Sequence, residues 1–340
     1  MSTVLPPRRV APTLEAVAAE AGVSRSTVSR VVNGSNQVSP DVETAVHEAI
    51  ERLHYIPNRA ARSLANNQTM AIALVIPEDI TRFFGDPYFA SVVQGITRAL
   101  DDSDYVLTLQ VAQSHPSAKT LRYLAGGNAD GALVVSHHSG DVFLGNLTSA
   151  MPVVFGGRPM LFDGPPAYFV DVDNVAAAER GTRYLIEKGH SRIATIAGPP
   201  DMPAGLDRAT GWARAMTDAG LSTARIAYGD FSLASGARAM REILDRHPDL
   251  DSVFVASDLM ATGAISVLLE RGLAIPGNVA VLGFDDSPSA TSGAIHLTTV
   301  HQPSEAMGAE MARMLLGLLR GETVEHQRIM ETHIVERDSA

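Results

Sequence analysis

The chain has 340 residues, too many for one ordinary core and suited to a small module plus a larger domain. Hydrophobic residues make up 45% and charged residues 19%, no apolar run is long enough to cross a bilayer, and MSTVLPPRRV lacks the apolar stretch and cleavage site of a secretory signal, so a cytoplasmic protein without membrane association is expected. The absence of cysteine excludes disulfides, thiolate metal sites and cysteine nucleophiles, and the net charge of -11 hides an asymmetry: residues 1–68 carry +1 and the rest -12.

In chain order, Thr13 can cap a short helix whose Leu14, Val17, Ala18 and Ala21 fall at helical spacing, with Gly22 ending it. Ser24 is placed to cap a second helix by accepting backbone N–H groups near Ser26 and Thr27, with Val28 and Val31 or Val32 turned inward. Asn33-Gly34 stops that helix. Ser39-Pro40-Asp41 opens a third, with Val42, Val46, Ile50 and Leu53 on its core face and Tyr55-Ile56-Pro57 closing the unit. Two helices joined by a glycine turn and closed by a third have the geometry of a helix-turn-helix. On the second helix Arg25, Ser26, Ser29 and Arg30 suit base edges and phosphates, although a plain solvated face fits the same pattern. Asn58 to Ala65, NRAARSLA, reads either as about two helical turns that need a partner to order them or as an ordinary linker.

From Met70 onward short apolar runs alternate with amphipathic segments. The runs are Ala71–Ile76, Val106–Val111, Gly131–Val135, Pro152–Phe155, Tyr168–Val172, Ile193–Ala197, Ser252–Ala256 and Val279–Phe284. Between them lie helical patterns such as Ala90–Leu100, Ala176–Lys188, Arg208–Ala219, Leu233–Arg246 and Met260–Arg271. This alternation predicts an α/β fold with parallel sheets covered on both faces, in more strands than one typical sheet holds, hence two lobes. Ligands of such sheets bind beyond the carboxyl ends of the strands.

The strings Thr13–Ala18, Ala21–Ser24, Thr27–Gly34 and Tyr55–Ala65 closely resemble the head signature of the lactose-repressor (LacI/GalR) family. Matches continue at Glu187–Ile193, Ser257–Ala261, Gly283–Asp286, Leu297–Val300 and Gln302-Pro303, so the resemblance covers nearly the whole chain. It implies an N-terminal helix-turn-helix head joined to a two-lobed, periplasmic-binding-protein-like domain. It further implies a sequence-specific transcription regulator, a repressor, whose partners are double-stranded operator DNA, a small effector of which a sugar is the first choice and a purine the second, and a second copy of itself. The DNA-contacting positions it implies are Thr13, Ser24, Arg25, Ser26, Thr27, Ser29, Arg30, Asn33, Tyr55, Asn58, Arg59 and Leu64. Arg25 either forks onto a guanine or holds phosphate. Leu64 is the family's minor-groove wedge, against the plainer role of a buried linker leucine.

For the effector the resemblance implies Arg208, Phe231, Ser257 and Asp285, a combination of guanidinium, ring and carboxylate that suits polyols. It adds Phe84, Asp86, Tyr88 and Phe89, from a segment expected as a loop whose register is open, and Arg158; Phe89 fits the core equally. The expected boundaries are 11–57 for the head, 58–68 for the hinge and 69–340 for the effector and dimerisation domain, with an N-lobe at about 70–169 and 303–330 and a C-lobe at about 170–302 and 331–338. Chain crossings are expected near Val170, Gln302 and Met330. With no leucine heptads before Ala340 the expected assembly is a dimer. An enzyme is not expected, because no G-x-G-x-x-G, phosphate loop or H-E-x-x-H occurs; no cofactor or metal is expected either, and His137, His138 and His190 read as surface or structural residues. The other rival, a periplasmic sugar receptor, lacks a reason for the head.

Overall fold

Caps set the first two helices and a proline the third. Thr13 Oγ1 accepts from Ala16 N at 3.3 Å and opens α1 (Leu14–Ala21), which ends at Gly22 in the left-handed region, φ 67°. Ser24 Oγ accepts from Thr27 N at 3.1 Å and opens α2 (Arg25–Val32). Pro40 occupies the first turn of α3 (Pro40–Leu53). Val17, Val28, Val46, Ala49 and Tyr55 bury themselves at the junction of the three, so the head has its own core. The computed structural model describes residues 12–32, 37–55, 68–111, 118–160 and 166–340. The chain divides into two compact units, Met1–Thr69 and Met70–Ala340.

The larger unit holds two six-stranded sheets. The first has the order β2 (Val106–Val111), β1 (Ala71–Ile76), β3 (Gly131–Val135), β4 (Val153–Gly156), β5 (Tyr168–Val172), β11 (Gln327–Met330), and every pairing is parallel. The second has the order β7 (Ile226–Tyr228), β6 (Ile193–Ala197), β8 (Ser252–Val255), β9 (Ala280–Asp285), β10 (Thr298–His301), β12 (His333–Val335); it is parallel except for the antiparallel edge strand β12. β1, AIALVI, is buried at every position because both its faces are covered. Ile72, Leu74 and Ile76 join Phe89, Ile96 and Met311 in one core, whereas Ala73 and Val75 join Leu124, Leu144 and Leu147 in another.

The segment expected as a loop after β1 is helical. Asp79 Oδ1 accepts from Thr81 N and Arg82 N and opens α4 (Ile80–Gly85); Asp86 Oδ1 accepts from Tyr88 N and opens α5 (Pro87–Leu100), with Pro87 in its first turn. Two caps and a proline at the first helical position favour helix, which outweighs the polar look of the string. The remaining helices are α6 (Ala118–Tyr123), α7 (Phe143–Ala150), α8 (Asn174–Glu187), α9 (Pro203–Asp218), α10 (Leu233–Arg246), α11 (Asp258–Glu270) and α12 (Ser304–Leu319). The pairs α8 with α9, α10 with α11, and α5 with α12 pack most extensively. In the last pair a Cβ on Gly95 would lie 1.8 Å from Glu305 O, and one on Gly308 would lie 2.2 Å from Val92 O, so the two backbones meet where only glycine fits.

The chain passes between the sheets three times: at Asp173, between β5 and α8; at Gln302-Pro303, between β10 and α12; and at Glu331-Thr332, between β11 and β12. The first passage comes after Val172, because Val170 still pairs with Gly156 and Arg328 inside the first sheet. Among the described residues no helix is long and apolar enough to cross a membrane.

Candidate functional site

At the carboxyl ends of the strands the two lobes face each other across a cleft that is open to solvent on one side. Arg208, on the second turn of α9 and only 4% exposed, is its hub. Its Nε donates to Asn174 Oδ1 at 2.8 Å, Nη1 to Ala256 O at 2.6 Å and Asp285 Oδ1 at 3.3 Å, and Nη2 to Gln302 Oε1 at 2.8 Å. The guanidinium also stacks 3.6 Å from the centre of the Phe284 ring. One side chain thereby ties the start of α8, the ends of β8 and β9, and the second chain crossing. Asp285 sits at the end of β9 with φ 108°, and burial pushes its carboxyl up to about 7 against the pull of Arg208. Asp258, buried behind it, accepts from Thr299 Oγ1 at 2.6 Å and Ser287 N at 2.7 Å, and burial and then Asp285 hold it well above the usual carboxylate range.

The backbone itself is strained around this wall. Ser136, Phe231 and Asp285 all line the cleft with positive φ, at 63°, 66° and 108°. Phe231 thereby places its ring between two arginines, 5.9 Å from Arg208 Cζ and 5.4 Å from Arg82 Cζ. Ser257 caps α11 by accepting from Met260 N and also lines the cavity.

On the first lobe Asp86 and Tyr88 line the cleft, and burial raises both pKa values. Asp171 accepts from Arg158 N at 2.7 Å, Val172 N at 2.8 Å and Asn174 Nδ2 at 3.0 Å, locking β5 to the first turn of α8. Arg158 itself stands outside the lining and closes the rim by pairing with Asp207 of the other lobe at 2.9 Å. Phe84 and Phe89 do not line the cleft. Phe84 is 75% exposed, and Phe89 is 2% exposed, because the position after Tyr88 on a helix turns about 100° away and into the core with Val92 and Ile96. Expected as effector contacts, the two rings stand apart from the cleft lining.

Residues without an expected effector role complete the cleft and its surroundings. His137, read from the sequence as structural, lines the cavity; burial pushes it down to about 4, so its imidazole is neutral, with Nε2 3.3 Å from Arg158 O. Arg82 pairs with Glu78 at 2.6 Å, and Glu78 accepts from Ser136 Oγ at 2.7 Å. His138 bridges the lobes, with Nε2 3.1 Å from Glu78 Oε1 and Nδ1 2.8 Å from Asp201 Oδ2. These residues carry no motif of their own; only the strand ends bring them together.

In the head, α2 presents Ser24, Arg25, Ser26 and Arg30 to solvent and keeps Thr27 and Ser29 half-buried. Arg25 Nε lies 2.9 Å from Glu15, an exposed pair worth about 0–1 kcal/mol and easily exchanged for another anion. Thr13 serves as the cap of α1, and Tyr55, 6% exposed, belongs to the core of the head. Expected at the DNA, Tyr55 packs inside the head. Asn33, Asn58, Arg59 and Leu64 lie outside the described residues. Among the described residues no group of three or more His, Asp or Glu is placed to hold a metal ion.

A three-helix head with a polar helix face, followed by two parallel-sheet lobes around a cleft of strand-end acids, arginine and rings, defines a regulator that couples DNA reading to an effector cleft. Residues 13–58 match the family described as bacterial regulatory proteins, lacI family, and residues 182–340 match the periplasmic binding protein-like domain. The HTH-type transcriptional regulator CelR of Thermobifida fusca is 46% identical over 337 residues, spanning 98% of this chain and 99% of that protein. A solved structure of a transcriptional regulator CelR-cellobiose complex is 44% identical with a TM-score of 0.77, covering 97% of this chain and 100% of its own. The lac repressor dimer bound to operator and the anti-inducer ONPF is 25% identical with a TM-score of 0.85, covering 97% and 99%. The chain belongs to the lacI family of bacterial transcription regulators and is not an enzyme.

Proposed function

We propose that the chain is a cytoplasmic, homodimeric repressor whose hold on a roughly palindromic operator is set by a neutral sugar, first of all cellobiose or a related glucose disaccharide. The observation that carries this reading is the cleft wall in which Arg208 and Asp285 stand beside the Phe231 ring. A sugar offers hydroxyl donors, hydroxyl acceptors and an apolar ring face, and that wall supplies an acceptor, a donor and an aromatic plane. Likeness to a regulator solved with cellobiose supports the choice of sugar, and likeness to an operator-bound dimer supports the assembly.

In this reading Asp86, Tyr88, Arg208, Phe231, Ser257 and Asp285 contact the effector, and Arg158 closes the rim over it. Ser24, Arg25, Ser26, Thr27, Ser29 and Arg30 read or hold the DNA, with Thr13 positioning the first helix. Asn33, Asn58, Arg59 and Leu64 extend the same assignment, and residues 58–68 form the hinge between a head at 11–57 and a body at 69–340. The sugar alters operator affinity through its unequal binding to two arrangements of the lobes. The test is an electrophoretic mobility shift on palindromic DNA from beside the protein's own gene, with and without cellobiose. A specific shift that cellobiose changes is expected. A specific shift indifferent to cellobiose and to other glucose disaccharides would remove the sugar from the proposal.

A further inference from the structure

The charges around the cleft are unequal. Asp86, Asp171 and Asp285 line it, against Arg82 and Arg208. Neither arginine is at a ligand's disposal as a free cation. Arg208 is balanced by Asp285, and four of its five N–H groups already donate, to Asn174, Ala256, Asp285 and Gln302, leaving one Nη2 N–H for a sugar hydroxyl. Arg82 is neutralised by Glu78 at 2.6 Å, and its charged end lies against Met202 Sδ and the Phe231 ring. Its Nε, buried without a partner, remains as a single donor suited to one hydroxyl oxygen.

Of the helix N-termini at the cleft, two are capped by their own side chains: Asp86 Oδ1 accepts from Tyr88 N at the start of α5, and Ser257 Oγ from Met260 N at the start of α11. The third, α9, whose Met202, Pro203 and Ala204 also line the cleft, has no side-chain cap, and Pro203 in its first turn removes one of its N–H donors. Of the three lining acids, Asp171 is satisfied by three N–H donors and Asp285 by Arg208, whereas Asp86 has no ion-pair partner among the described residues. Asp86 is therefore the carboxylate whose negative charge is least answered by the protein.

Resting on the sugar reading above, we propose that the cleft sorts effectors by charge, accepting an uncharged sugar and rejecting the same sugar bearing a phosphate, with Asp86 as the residue that enforces the choice. A phosphate dianion brought into this cleft meets buried carboxylates at low effective dielectric, and each guanidinium within reach, Arg82, Arg208 and Arg158 at the rim, is already paired with an acid. Burial already raises the carboxyls of Asp86 and Asp171, and a nearby dianion would raise them further, so it enters only against repulsion or with proton uptake.

The test is calorimetric titration of the full chain with three matched pairs: cellobiose and cellobiose 6'-phosphate, glucose and glucose 6-phosphate, ribose and ribose 5-phosphate. In every pair that binds, the neutral member is expected to bind roughly tenfold tighter or more. Asp86→Asn, which keeps the helix cap because asparagine caps as well as aspartate, is expected to narrow that ratio severalfold. A phosphorylated member binding as tightly as its neutral counterpart overturns charge selection. A ratio unchanged in a folded Asp86→Asn variant overturns the role of Asp86. Silence of all six ligands instead overturns the sugar reading, and charge selection falls with it.

Discussion

At the residue scale the cleft turns on one buried cation. Arg208 faces four acceptors and an aromatic ring, and Asp285 is the acid that balances it. Removing one partner of a buried pair leaves the other charge uncompensated, so Arg208→Met is expected to destabilise the body by about 3–5 kcal/mol at neutral pH, measured by urea unfolding. The sign of its pH dependence follows from Asp285. Its folded pKa is raised to about 7 from 3.8, so between those values the folded state holds a proton that the unfolded state has lost. Stability from this group therefore falls as pH rises toward 7. The defect in the variant should shrink below pH 7, where Asp285 takes up a proton, and a defect independent of pH would show that the pair is not the cause. Arg208, Phe231 and Asp285 were legible because each sits in a string with a family counterpart. His137, Asp171 and Asn174 were not, since an isolated histidine or acid carries no sign of the strand end that will hold it. The misplaced rings, Phe84 and Phe89, have the same origin: a neighbouring tyrosine and phenylalanine look alike in a string, and only helix phase separates lining from core.

At the element scale the fold was most readable where strands are buried on both faces. The eight apolar runs correspond to β1 to β6, β8 and β9. The strands that escaped notice were β7, β10, β11 and β12, each of three or four residues; β7, β11 and β12 are edge strands with exposed side chains, and β10, TTVH, lies inside its sheet but carries two buried threonines in place of an aliphatic run. Helix α12 was missed because its SEAMGAEMARMLLGLL is apolar nearly all round, as a helix covered on several sides must be. Its approach to α5 gives a direct test. At Gly95 a methyl group would overlap backbone that cannot move aside, so Gly95→Ala should cost about 1–3 kcal/mol or more, read as a lowered midpoint of thermal unfolding. An unchanged midpoint would mean that α5 and α12 slide apart freely.

At the scale of the whole molecule the two lobes are joined by more than the chain. Arg158 with Asp207, and His138 with Asp201, span the rim, and Ser139 N donates to Asp201 O at 2.8 Å. His138 is raised to about 9, chiefly by its hydrogen bond to Glu78 against the opposing effect of burial, with Asp201 adding to it. Because the folded value lies above 6.5, this contribution is complete below about pH 6.5 and is lost as pH rises through about 9. The ligand-free protein should therefore lose about 1–3 kcal/mol of stability across that window, with His138→Gln flattening the dependence. Parallel pH profiles of the two proteins would refute the bridge.

The three chain crossings carry a mechanical consequence. A body tethered to another by one strand can swivel about any axis, whereas three tethers side by side act as the leaves of a door and leave one soft direction of travel. Gln302, which takes a hydrogen bond from Arg208, is itself one of those tethers, so the group at the centre of the cleft grips the axle on which the door turns. Work done on a small molecule in the cleft is thereby channelled into a single angle instead of being scattered over many.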